Sequence, residues 1–195
     1  MLRDGLGETK GVIGLSTFAD CLVTLDFPGE RLVIQRGALS EDEGTLGYRI
    51  DEYGLPAIAI EVDGNEIESH LDTGNPGGFM LPAKYESELT LESPPIVVGR
   101  GRTASGEFEV RHATLDGAAI IAGHRIEDVD LTFNDMFGHG NVGSEILSMF
   151  AITIDQRNER IRFERPPGAK PVVPRRPSYG IILAMTPEGP IGVRG

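Results

Sequence analysis

Leu71-Asp72-Thr73-Gly74 occurs once in this chain, directly after the alternating stretch Ile67-Glu68-Ser69-His70, and the reading of these four residues decides the fold. Asp supplies a carboxylate and Thr a hydroxyl that can hold the loop by hydrogen bonds. Gly lets backbone N–H groups approach the carboxylate. Such a loop suits acid–base chemistry in which two carboxylates share a proton across a small gap. Like charges that close cannot both ionise, so the pair titrates as a unit with its pKa values pushed apart.

The residues on either side of the triplet read as β structure. Pro56 to Val62 places Ile58, Ile60 and Val62 at alternate positions, the period-2 signal of a half-buried strand. Asp63-Gly64 is a strong hairpin turn, and the return strand Ile67 to Leu71 delivers the chain into Asp72. Ala118 to Ile121 and Ile126 to Leu131 predict another hairpin through Gly123. Between them, Gly99-Arg100-Gly101-Arg102-Thr103-Ala104-Ser105-Gly106 is glycine-rich and mobile in character. Gly99 and Gly101 with their flanking arginines could also suggest phosphate binding, but no helix start follows, which favours a flap or loop.

The chain also repeats itself. Residues 11–36 and 140–165 align without gaps at an offset of 129, with seven identities in 26 positions. Gly11 meets Gly140, Gly14 meets Gly143, Thr24 meets Thr153, Asp26 meets Asp155, and Glu30, Arg31 and Arg36 meet Glu159, Arg160 and Arg165. Both copies spell a Gly-x-x-Gly loop, a short helix, a strand, a turn and a second strand. In the second copy the helix covers 144–150, with Ile146, Leu147 and Phe150 apolar, and the strands run Ala151 to Asp155 and Glu159 to Glu164. Asp26 and Asp155 sit at matching strand ends and read as turn or cap residues.

Composition narrows the function classes. The 26 Gly and 13 Pro among 195 residues favour a turn-rich β protein. A formal net charge of −12 argues against nucleic acid and anionic membrane surfaces as partners. The single Cys21 excludes an intrachain disulfide and a cysteine-based zinc site, and its apolar neighbours read as those of a buried structural thiol. His70, His112, His124 and His139 lack ligand spacing, so surface or loop roles are expected and no metal or other cofactor is implied. There is no serine nucleophile elbow and no zinc-protease helix motif. No run approaches the ~20 apolar residues of a membrane helix. Met1 to Lys10 lacks the apolar core of a signal peptide, so the chain reads as soluble with its compartment open.

Taken together, residues 48–165 resemble a retropepsin-like aspartic protease domain of the bacterial kind related to retroviral proteases. The resemblance rests on Leu71-Asp72-Thr73-Gly74 after a hairpin, on the flap candidate at 99–106, and on the Gly140-Asn141-Val142-Gly143 loop with its helix and Thr153-Ile154-Asp155 strand. It implies an all-β closed acid-protease barrel with one short helix, in which the second loop packs against the catalytic loop. Asp72, Thr73 and Gly74 are then the catalytic loop, Gly99 to Gly106 the substrate-binding flap, and Gly140 and Gly143 a structural loop. The family usually has Ala or Ser after the triplet, and Asn75, a larger amide, is expected to narrow the site.

By the same resemblance, residues 1–40 are the C-terminal portion of a first such lobe. Residues 166–177, with five prolines, read as a stiff linker. Residues 178–195 are similar to the opening strands of a truncated PDZ domain. The equivalent of Asp72 in the first copy falls 129 positions upstream, before Met1. The expected function is an aspartic endopeptidase that hydrolyses polypeptides with carboxylate-activated water. The second aspartate comes either from a homodimer or from a missing N-terminal lobe. The competing readings are a catalytically incomplete peptide-binding or scaffold module and a fragment of a two-lobed protease.

Overall fold

The computed structural model describes residues 13–42, 44–50, 55–103, 106–166, 181–186 and 189–194. Gly11 of the repeat, Ala104 and Ser105 of the flap segment, linker residues 167–177, and Tyr179 and Gly180 lie outside the described residues. The first copy contributes β1 (Leu22–Asp26) and β2 (Arg31–Gln35), after a 3₁₀ turn at Leu15–Phe18. The body follows with β3 (Thr45–Gly47), β4 (Arg49–Ile50), β5 (Pro56–Val62), β6 (Asn65–Asp72) and β7 (Phe79–Pro82). Next come β8 (Ile96–Thr103), β9 (Gly106–Thr114), β10 (Ala118–Ile121), β11 (His124–Glu127), β12 (Asp130–Asn134) and β13 (Gly140–Gly143). The chain continues through α1 (Ser144–Leu147), β14 (Ala151–Asp155), β15 (Arg160–Glu164), β16 (Ile181–Thr186) and β17 (Gly189–Arg194). The architecture is all-β with one short α-helix among the described residues.

A large sheet runs in the order β11-β10-β5-β6-β13-β7-β12-β9-β8, with β4 beside β5. Among the described residues its end strands β11 and β8 do not pair with each other. The alternation in β5 is realised: Ile58, Ile60 and Val62 are buried while Ala59 and Glu61 face solvent. Asp63 and Gly64 both take positive φ (50° and 76°), the two-residue turn whose twist matches the flanking strands. Phe79, Phe133, Phe150 and Phe163 are fully buried in the core, with Phe150 edge-on to Phe163 at 5.5 Å.

Three boundaries differ from the sequence expectation. The strand expected over Ile126 to Leu131 is two strands, β11 and β12, because Asp128 turns the chain at φ 54°. β12 then leaves the β10–β11 hairpin and pairs parallel with β7 and antiparallel with β9. The helix expected over 144–150 is confined to Ser144–Leu147, since Phe150 turns into the core and β14 begins at Ala151. Gly140 to Gly143, expected as a loop, is strand β13, which pairs parallel with β6 so that Gly140 meets Ser69 and Gly143 meets Asp72. Close approach explains the glycines: a Cβ on Gly143 would overlap the Gly77 carbonyl oxygen, and one on Gly140 the Ser69 hydroxyl.

A second sheet, β2-β1-β14-β15-β3, joins the two copies of the repeat. β1 and β14 are antiparallel, with Leu22 opposite Asp155, Thr24 opposite Thr153 and Asp26 opposite Ala151. Thr24 thus faces the residue it matches in the repeat, and their hydroxyls hydrogen-bond at 2.8 Å. A local twofold axis passes between these two threonines. The matched turns are alike in detail, with Glu30 and Glu159 at φ 51° and 52°. The Asp26 carboxylate accepts from the Gly29 N–H at 2.9 Å, and that of Asp155 from the matching Asn158 N–H at 3.2 Å. β16 and β17 pair as a separate antiparallel hairpin.

Candidate active site

β6 ends at Asp72 of the Asp-Thr-Gly triplet, and the residues after it form a tight loop. The Gly74 N–H donates to Asp72 Oδ1 at 2.9 Å, and the Asn75 N–H donates to the Asp72 carbonyl at 3.1 Å. From the neighbouring strand β13, Asn141 Nδ2 donates to Asp72 Oδ2 at 2.9 Å. An ionised carboxylate can only accept, so Asn141 must turn its amide nitrogen to Asp72 and its oxygen away. That oxygen accepts from Asn75 Nδ2 at 2.7 Å, and Asn75 Oδ1 accepts from the Gly77 N–H at 2.9 Å. The relay fixes every amide in one orientation and leaves both carboxylate oxygens of Asp72 occupied by donors.

The loop is also sewn to the start of α1. Asn75 and Gly77 carbonyls accept from the Ser144 and Glu145 N–H groups at 2.7 and 3.1 Å, and the Ser144 hydroxyl donates to the Asn75 carbonyl at 2.9 Å. Gly143 donates to the Gly78 carbonyl at 2.8 Å. Gly143 therefore lies beside Asp72 and Gly140 beside Ser69, both in strand β13. Asn75 braces Asn141 and does not line the cavity at Asp72, so the expected narrowing is absent: its amide is spent on the relay.

Asp72 is half-buried at the floor of a cavity of about 440 Å³. Leu55, His70, Met136, Phe137, His139 and Asn141 line the rest of it, and Asp72 is the one carboxylate among these described residues. Contrary to the expected surface or loop role, His70 is buried on β6, and its ring lies 3.7 Å from that of His139. Asn134 Oδ1 accepts from the N–H groups of Met136 and Phe137 at 2.9 and 3.1 Å, which sets the loop carrying these apolar residues. No group of three His, Cys, Asp or Glu side chains among the described residues could hold a metal ion.

Thr73 departs from its expected role. Its side chain makes no hydrogen bond among the described residues and faces a second cavity, of about 370 Å³, on the side of the first repeat copy. The flap segment forms the β8–β9 hairpin, with Thr103 opposite Gly106 and an Arg100–Glu109 ion pair at 2.8 Å. Gly99 and Arg100 do not line the Asp72 cavity. Cys21 is half-buried rather than buried.

Sequence reasoning missed Asn141, His70 and His139 as residues of the site. Asn141 reaches Asp72 only through the parallel β6–β13 pairing, between segments 69 residues apart. No local pattern carries that register.

No family profile and no curated protein matches the chain. Among solved structures it is similar to a retropepsin-like aspartic protease from Rickettsia conorii, at 17% identity and a TM-score of 0.45, over 62% of this chain and 98% of that one. It is also similar to EIAV protease complexed with the inhibitor HBY-793, at 16% identity and a TM-score of 0.39, over 48% of this chain and 85% of that one.

Proposed function

We propose that this chain carries one catalytic half of an aspartic endopeptidase, with Asp72 as one of two aspartates that activate water against a peptide bond. The observation that supports this reading is the Asp72 carboxylate, gripped by the Gly74 N–H and the Asn141 amide at the floor of a cavity with apolar walls. In the reaction, the ionised member of the pair takes a proton from water as its oxygen attacks the carbonyl carbon. The protonated member donates to the carbonyl oxygen. The Gly74 and Asn141 donors hold the carboxylate so that its free lone pairs point into the cavity. The β8–β9 hairpin is the flap that covers an extended polypeptide and excludes water.

A second reading, a peptide-binding module without turnover, is favoured by one observation: Asp72 is the one carboxylate lining its cavity among the described residues. One experiment separates them. Acid-favoured cleavage of an unfolded protein is measured with the chain alone and joined to a second Asp-Thr-Gly lobe. Asp72→Asn is expected to lower cleavage by about 10²–10⁴-fold while the melting temperature is kept. Equal cleavage by that variant ends the protease reading. Peptide binding without turnover in either form, from acidic to neutral pH, selects the binding module.

A further inference from the structure

The bond from Asn141 to Asp72 leaves one hydrogen of the Asn141 amide unspent. Val142 beside it is buried in the core, so alternation along β13 turns the Asn141 side chain to the opposite face, into the cavity that Asp72 floors. The amide is fixed at both ends: Oδ1 accepts from Asn75 Nδ2 at 2.7 Å, and Nδ2 donates to Asp72 Oδ2 at 2.9 Å. An amide nitrogen carries two N–H groups. Asp72 takes one, and the other has no acceptor among the described residues. Asn75 is itself held by the Gly77 N–H on its own oxygen, so two side chains are committed to the direction of a single nitrogen. Holding one carboxylate oxygen needs only one hydrogen.

We propose that Asn141 is a catalytic residue: its second N–H donates to the carbonyl oxygen of the scissile peptide bond and stabilises the negative charge that develops there as water attacks. The inference rests on the proposed protease reading and adds an oxyanion donor that is not a carboxyl group. Base and donor stand at a suitable separation. Asp72 Oδ2 and Asn141 Nδ2 are 2.9 Å apart, so a water on the carboxylate and a carbonyl oxygen on the amide are immediate neighbours. Reacting atoms poised for attack stand about 3–3.5 Å apart. Leu55, Met136 and Phe137 wall the cavity with apolar surface, which strengthens a fixed dipole aimed at a developing charge. In the step, the water oxygen bonds to the carbonyl carbon and its proton passes to Asp72. The carbonyl π pair moves onto the oxygen, which takes the proton of the second carboxyl and accepts from Asn141. On collapse that proton returns, the C=O bond re-forms, the C–N bond breaks, and Asp72 gives its proton to the leaving nitrogen. Asn141 gains and loses no proton. Asn75 is a positioning residue that acts through Asn141, because its Nδ2 fixes the Asn141 oxygen away from Asp72.

The test uses the full chain, alone and joined to a second Asp-Thr-Gly lobe, in whichever form cleaves an unfolded protein faster at acidic pH. A peptide spanning the cleaved bond supplies kcat and KM. Asn141→Leu removes both donors and is expected to lower kcat by about 10²–10³-fold. KM should stay within about twofold, since the lost bond strengthens only in the transition state. Two uncleavable versions of the peptide separate catalysis from bracing. One carries an anionic phosphinate, with an oxygen where the oxyanion forms, and the other a methylene in place of the carbonyl. Asn141→Leu is expected to weaken the phosphinate by about 100-fold or more and the methylene version by less than about threefold. Asn75→Leu, which frees the Asn141 amide to rotate, is expected to lower kcat by about tenfold with KM kept. The inference is overturned if Asn141→Leu keeps the parent kcat, or if it weakens both versions equally, which marks Asn141 as a brace for Asp72 alone. Where Asn141→Leu lowers the melting temperature, Asn75→Leu decides, and an unchanged preference for the phosphinate in that variant overturns the inference. Cleavage lost on Asp72→Asn yet kept on Asn141→Leu removes this inference and leaves the protease reading. No cleavage by either form, or cleavage that survives Asp72→Asn, removes both.

Discussion

Hairpin one (β1–β2) and hairpin two (β14–β15) are built from matching residues, share a turn with the same backbone, and differ in almost every burial value along their outer strands. Leu32 and Ile161 are both apolar at the same position, yet one is 58% exposed and the other 0%. The difference teaches that local sequence builds the hairpin and that burial comes from what packs on it. The hydrophobic term scales with area removed from water, so it acts on hairpin two and is nearly absent from the outer face of hairpin one.

The strongest way to break this comparison is to truncate matched positions. Phe163→Ala should cost about 3–5 kcal/mol, because it empties a fully buried site against Phe150. Ile34→Ala should stay within about 0.5 kcal/mol in the isolated chain. Denaturant midpoints of both variants decide the matter, and equal losses would mean that hairpin one is covered.

The two turn aspartates sharpen the comparison at an intermediate scale. Asp155 is buried and accepts from the Leu39 N–H at 2.9 Å and from Asn158 Nδ2 at 2.7 Å, so Asp155→Ala should cost about 1–3 kcal/mol. Asp26→Ala should cost less, since its Arg31 partner is 70% exposed. Burial raises the Asp155 carboxyl, but the Asn158 side chain and backbone donors outweigh it and hold its pKa below the ordinary value of 3.8. The Arg31 side chain and the Gly29 N–H likewise lower Asp26. A depressed folded-state pKa contributes stability that is present above about pH 4 and is lost as pH falls through the folded value. Unfolding free energy followed from neutral to acidic pH should therefore decline below pH 4, and less steeply in Asp155→Asn. An unchanged acid slope in that variant would remove Asp155 as its source.

The smallest effect lies on the dyad. Thr24→Val and Thr153→Val each remove one hydroxyl of a bond between matched residues. A double-mutant cycle should return a coupling of about 0.5–1.5 kcal/mol. Strict additivity would mean that the axis threonines do not interact.

Much of this was legible beforehand because it rests on short-range signals. Ile58, Ile60 and Val62 announce their strand by alternation, Asp63-Gly64 its turn by composition, and Asp155 its capping role by its place at a strand end. Features that depend on distant partners were not legible. Gly140 to Gly143 reads as a loop because nothing local demands a strand, and it becomes one through backbone pairing with β6. Thr73 reads as a brace for its own loop, while Asn141 and Asn75 take that work and leave it facing the neighbouring cavity.

The sequence by itself determined the strand-forming segments, the triplet at Asp72 and the repeat, since these follow from periodicity, turn chemistry and self-similarity. Only the tertiary structure decided that the two copies of the repeat pair about Thr24 and Thr153, that Asn141 grips Asp72, and that one hairpin is covered while its twin is bare. Register and burial are properties of surfaces brought together from far along the chain. A residue carries its own polarity in the sequence, but its neighbour across a sheet is chosen by the fold.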